Sequence, residues 1–179
     1  GIALGANVVI ATAIGCGDEK AVKHAVHTSI VFSVLGGAVV SLLGQFIAAP
    51  LLSVLNVPDD VFPYALMYLR IYLLGMPVIL LYNFEAAIFR SVGDTKRPLI
   101  CLTVSGVLNA GLNIFLVAVC GMDVDGVAIA TVLSNVVSCV VVVWMLCREK
   151  SEIRLSLRAL RMDRALLGRM LACGASAKT

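Results

Sequence analysis

The fold turns on how one reads Phe89–Pro98, FRSVGDTKRP. A glycine, an aspartate, three cationic side chains and a proline crowd into a chain that is 60% hydrophobic and only 14% charged. An ordinary soluble domain carries about 25% charged residues. Gly93 can take the left-handed conformation that ends a helix, and Asp94 or Thr95 can accept the orphan amide hydrogens that begin the next. Pro98 is tolerated in a first helical turn, where its missing N–H leaves nothing unpaired. The decad therefore reads as a tight helix-to-helix turn. Ile14–Lys20, IGCGDEK, repeats the same order of glycine, Gly-Asp and lysine.

Working outward from these two turns, the flanks are long and apolar. A bilayer is crossed by about 20 apolar helical residues, and five segments meet or approach that length: about 1–15, 28–55, 62–89, 99–120 and 126–147. The 28–55 segment holds no charged residue, and its length permits tilt. The 62–89 segment carries Arg70 and Glu85 near its two ends and Gly75-Met76-Pro77 in its middle, where Pro77 should kink it and is a candidate hinge. With a mean hydropathy of +1.01, the expected class is an all-α, polytopic integral membrane helix bundle. Residues 148–179 read as a basic cytoplasmic connector.

The connections set the expected orientation. Lys20, Lys23, Arg90, Lys96, Arg97, Arg148 and Lys150 fall in alternate connections, and the other two hold only Asp59, Asp60, Asp123 and Asp125. By the positive-inside rule, the ends marked by Lys20, Lys96 and Arg148 face the cytoplasm. In the tail, Arg154, Arg158 and Arg161 recur at helical spacing against Leu155, Leu157 and Leu160. Such a basic amphipathic stretch suits anionic headgroups, or serves as a connector to another span. Gly36, Gly37 and Gly106 are read as points of close helix approach.

Other chemistries are excluded by what the spacing lacks. Cys16, Cys101, Cys120, Cys139, Cys147 and Cys173 stand singly, mostly in apolar runs, and read as small fillers. His24 and His27 have no thiol or acidic partner at ligand spacing. There is no nucleotide-binding glycine loop, no nucleophile–base pair and no carboxylate pair within one span. Neither an enzyme, a cofactor nor a nucleic-acid partner is expected. The first residues, GIALGANVVIATAIG, carry no initiating Met, and the chain reads as a piece of a longer protein.

The order of motifs is also recognisable. ALGANVVIATAIGCGDEKAV, then YNFEAAIFRSVGDTKRPL, NAGLNIFLV and GVAIATVLSNVVS resemble the MATE (multidrug and toxic compound extrusion) transporters, members of the multidrug/oligosaccharidyl-lipid/polysaccharide flippase superfamily. The resemblance covers nearly all of the chain up to Lys150. It implies helices two to six of a twelve-helix protein with two six-helix lobes, helix one and the second lobe being the absent partners. The implied activity is secondary efflux of small, often cationic, organic compounds in exchange for Na+ or H+, through a bacterial plasma membrane. A lipid-linked oligosaccharide flippase of the same superfamily ranks second, because only Arg70 within the spans could serve a cationic cavity. A non-transporting membrane scaffold or channel subunit is the third reading.

Polar side chains inside a membrane are costly and face a bundle interior or wet cavity. Asn109 and Asn113, one helical turn apart, are the leading cavity candidates, followed by Thr131, Asn135 and Asn83. Their alternative is interhelical hydrogen bonding. In one branch of the family an Asn and an Asp on helix five and a Thr on helix six hold a cation; Asn109 and Thr131 match, whereas Asn113 stands in place of the Asp. An amide does not titrate, yet its oxygen can ligate Na+. Glu85 is a candidate ion relay, although a carboxyl reaching headgroup water or a nearby cation is favoured. Arg70 is expected to snorkel to the outer interface. Asn83 either satisfies a carbonyl freed by the Pro77 kink or lines the cavity.

Overall fold

The computed structural model describes residues 2–156, 160 and 162–176. Its helices are α1 (Ile2–Gly15), α2 (Glu19–Val54), α3 (Phe62–Leu74), α4 (Met76–Ser91), α5 (Lys96–Asn113), α6 (Val124–Arg148) and α7 (Arg164–Ser176), with a π-helical segment (Ile114–Val119) continuing α5. Three are long and apolar enough to cross a membrane alone: α2, α5 with its π continuation, and α6; α3 and α4 together make a fourth span, bent by 48°. α1 is a shorter apolar helix of 14 residues. Among the described residues there is no strand. The all-helical membrane bundle expected from composition is what forms.

Both glycine-aspartate turns have the same geometry. After α4, Gly93 has φ +80°, its N–H bonds the Arg90 carbonyl at 3.0 Å and the Asp94 N–H reaches back to Phe89 at 3.0 Å. After α1, Gly17 has φ +68°, with the Asp18 N–H on Ala13 at 3.1 Å. This paired back-bonding satisfies the last carbonyls of each helix. The aspartates then begin the next helix. Asp94 Oδ1 accepts from the Lys96 and Arg97 amides, both at 3.1 Å, and Asp18 Oδ1 from Ala21 at 3.0 Å. Of the two capping candidates after Gly93, Asp94 does the work; the Thr95 side chain makes no cap bond.

Three expected boundaries move. α2 starts at Glu19, so Lys20 and Lys23 lie on the helix and not in a connection. Its 36 residues span about 54 Å, longer than a bilayer core of about 30 Å. The expected single kinked third span is two helices, broken where Gly75 is both the last cap of α3 and the first of α4. Pro77 has no N–H for the Leu73 carbonyl, and the chain restarts from the Val78 amide on Gly75 at 3.1 Å. In the tail, Ser151–Ser156 is turn and coil, so the expected helical spacing from Arg154 is not realised. Arg158, Arg161 and Leu157 lie outside the described residues.

The break is buttressed from α2. A Cβ on Gly37 would lie 2.3 Å from the Pro77 Cα, so the α2 backbone touches the start of α4. Gly36 and Gly106 face no such contact, contrary to expectation. Close approaches arise instead at Gly44 against Leu73 and Gly75 against Val132.

The core sits at the cationic end of the bundle. Val22 and Val26 of α2, Ile88 and Phe89 of α4, Leu146 of α6 and Ile153, Leu155 and Met170 of the tail form one buried cluster. The tail is held by polar bonds: Thr28 Oγ1 accepts from the Asp163 amide at 3.0 Å, and His27 faces the Ser156 backbone at 3.2 Å. His27 thus serves as a tether. Arg97 closes this end by pairing with Asp94 at 3.0 Å, bonding Glu149 and lying 5.4 Å from the Phe89 ring centre. The guanidinium holds the Glu149 carboxyl below the usual carboxylate range.

Candidate functional site

A ladder of polar side chains joins α5 and α6. Cys101, Ser105, Asn109 and Asn113 recur every fourth residue, which puts them on one face of α5. Opposite them, α6 presents Thr131, Ser134 and Ser138. The Ser138 hydroxyl donates to the Cys101 carbonyl at 3.1 Å, and the Ser105 hydroxyl to the Ser134 carbonyl at 3.0 Å. Higher on the seam the Asn109 amide donates to Thr131 Oγ1 and Ser134 Oγ, each at 3.3 Å. The Asn113 amide donates to Asn109 Oδ1 at 3.0 Å.

Two features set the upper end of this ladder apart. Asn113 Oδ1 is buried and has no hydrogen-bond partner. An unpaired buried acceptor costs about 1–3 kcal/mol. Asn113 is also the last residue of α5, and the π-helical segment starts at Ile114. There the Cys120 N–H bonds Phe115 at 3.1 Å, the wider hydrogen bonding of a π turn. Such turns recur at functional sites because they re-aim side chains. The arrangement gathers oxygen atoms from Asn109, Asn113 and Thr131 without any charge among them, a donor set suited to a weakly held, hard cation.

The other candidates separate from this group. Asn135 makes none of the ladder bonds. Asn83 is exposed, and its amide donates to the Ile79 carbonyl of its own helix at 2.8 Å, so it does not satisfy the Leu73 carbonyl freed at Pro77. Glu85 is fully buried. Its Oε1 lies 3.9 Å from the Cys139 thiol and its Oε2 has no partner. It neither reaches headgroup water nor pairs with a cation, and the expectation of a snorkelling or paired carboxyl is overturned. Ser105, Ser134 and Ser138 were missed by sequence reasoning, although Ser105 four residues before Asn109, and Ser134 and Ser138 three and seven residues after Thr131, were a usable helical signal.

Arg70 stands apart from the seam, on α3. It is exposed, about 12 Å of helix from Phe62 at the start of α3. Its backbone carbonyl accepts from Gln45 of α2 at 3.0 Å.

A bundle of apolar helices with a broken span and a charge-free polar seam is the architecture of a polytopic integral membrane protein. The chain belongs to the MatE family, whose model matches residues 1–115. It is 30% identical over 184 residues to the probable multidrug resistance protein YoeA of Bacillus subtilis, covering 99% of this chain and 40% of that one. It is 32% identical to the probable multidrug resistance protein NorM of Thermotoga maritima, covering 84% and 34% respectively. Among solved structures, an inward-facing multidrug resistance MATE family transporter matches with TM-score 0.90 at 24% identity, over 97% of this chain and 40% of that one. The chain thus spans 40% or less of the length of these relatives.

Proposed function

We propose that the whole protein is a secondary active efflux transporter and that this chain is most of its amino-terminal lobe. It exports small amphipathic organic compounds, often cationic, in exchange for inward Na+ or H+, by alternating access of two lobes. Its cationic end faces the cytoplasm of a bacterial cell. The observation that carries this reading is the Asn109–Asn113–Thr131 cluster, whose unpaired amide oxygen is unexplained by packing and is suited to a coupling cation. The names of the relatives, multidrug resistance proteins, support the direction and breadth of transport.

Dye efflux from cells expressing the complete protein, in Na+ and under imposed pH gradients, tests it. Asn109→Ala and Asn113→Ala are expected to reduce efflux roughly tenfold and to weaken its cation dependence, on the scale of one lost hydrogen-bonded contact to a charge. Efflux that ignores both gradients overturns the antiporter. Glu85, buried with a free oxygen, is assigned as an ion relay from α4 towards α6. A Glu85→Gln profile of transport against pH that matches the parent removes that role.

A further inference from the structure

The outer half of the broken span holds a second polar feature that the cation cluster does not use. Between α2 and α3 lies a cavity of about 460 Å³, lined by Gln45, Pro63, Leu66, Met67, Arg70, Ile71 and Leu74. Apart from Gln45 and Arg70 its walls are apolar. Small-molecule sites have this make-up: an apolar concavity of a few hundred Å³ with a few placed polar groups.

Arg70 is the only charged residue of α3. It lies about 12 Å along α3 from Phe62, and Gln45 lies about 14 Å along α2 from Val54. The Arg70 side chain is exposed, and a guanidinium on an apolar span takes an acidic partner, water, a headgroup or a ligand, because a charge in the hydrocarbon region is costly. No acid supplies it. Among the described residues the only ion pairs are those of Arg97, at the opposite end of the bundle. The neighbouring amide is placed but not consumed: the Gln45 Nε2 donates to the Arg70 carbonyl at 3.0 Å, fixing the two side chains' helices in register. Its Oε1 stays available to a ligand hydroxyl or amide. α3 has no buried residue, so this face of the helix is open within the lobe.

We propose that this cavity is a subsite for amphipathic organic anions: the Arg70 guanidinium binds a carboxylate, sulfonate or phosphate, Gln45 orients it, and the apolar body lies along Leu66, Met67, Ile71 and Leu74. The fork of an arginine matches such oxyanions in a way a lysine does not. The inference rests on the transporter reading and narrows its substrates to compounds that include acids and zwitterions.

Equilibrium binding to the complete protein in lipid nanodiscs tests it without any ion gradient. The probes are pyrenebutyrate and its uncharged methyl ester, read by fluorescence anisotropy against empty nanodiscs. The parent is expected to bind the acid more tightly than the ester. Arg70→Gln should lose about tenfold or more in affinity for the acid, the worth of a charge-assisted bond, and leave the ester within about twofold. Arg70→Lys should recover part of the acid binding. Equal losses for acid and ester would make Arg70 a packing residue, and unchanged acid binding would place it towards lipid; either overturns the proposal. Selective binding without efflux leaves the subsite standing and refutes transport. Efflux that persists without acid-over-ester selectivity does the reverse.

Discussion

α3 and α4 are the two halves of one broken span, yet they are opposites in packing. Phe84–Phe89 of α4 is an unbroken run of six buried residues, closed on by α1 through Asn7, which donates to the Ala87 carbonyl at 3.0 Å, and by α2 through the edge-on Phe32–Phe84 contact. α3 has none buried, and Leu74 at its end is 62% exposed. The sequences do not differ in apolarity to match. Lipid is as apolar as a core, so hydrophobicity alone does not tell a helix which neighbour to seek. Close packing and backbone approach decide: the tail covers the cationic end of α4, and Gly37 of α2 meets Pro77 at its start.

The two halves should differ most when a large apolar side chain is removed from each. In the complete protein Phe89→Ala is expected to cost about 3–5 kcal/mol, because its cavity lies in a fully enclosed cluster. Leu74→Ala should cost under about 1 kcal/mol. Thermal unfolding in detergent measures both, and a Leu74 cost as large as that of Phe89 would mean that the rest of the protein buries α3. Next in size, Gly37→Ala pushes a methyl into the Pro77 backbone and is expected to destabilise by about 1–3 kcal/mol. The same change at Gly36 should pass almost unnoticed, since nothing lies closer than the Phe32 ring at 4.0 Å.

The smallest effect is electrostatic. Arg97 lowers the Glu149 carboxyl, so that pair stabilises the fold above the ordinary carboxylate range and the contribution is lost as pH falls through the lowered value. The complete protein's melting temperature should therefore drop slightly towards acid pH, and Glu149→Gln should remove that portion of the slope. A slope identical in the variant would show the pair to be too well solvated to matter.

Much of this was legible in the sequence because lipid imposes a length rule and turns impose a residue rule. The FRSVGDTKRP turn was read correctly down to Gly93 and Asp94. The same reasoning misplaced the start of α2, because Glu19, Lys20 and Lys23 were taken as marks of a connection. Charge marks the edge of the membrane, and a helix of good formers such as EKAVKHAV runs straight past it. Glu85 was misjudged for a related reason. Position along a span gives depth, whereas exposure depends on which helices stand beside it. Asn109 and Thr131 were named from polarity and resemblance, but Ser105, Ser134 and Ser138 were overlooked, since a serine in a membrane helix satisfies itself on its own backbone as readily as on a neighbour.

The π-helical segment after Asn113 alters how the outer end of that span must be counted. Over Ile114–Val119 the winding lags an ordinary helix by roughly one residue, about 100° of rotation. A helical wheel drawn through Cys101, Ser105 and Asn109 and carried on unchanged would point the final turn at the wrong neighbour. With the lag included, Leu116 comes against Gly126 at the head of α6, where an added Cβ would meet its own at 3.4 Å. Deleting one residue there would barely shorten the span, but it would put the hairpin's two arms out of phase.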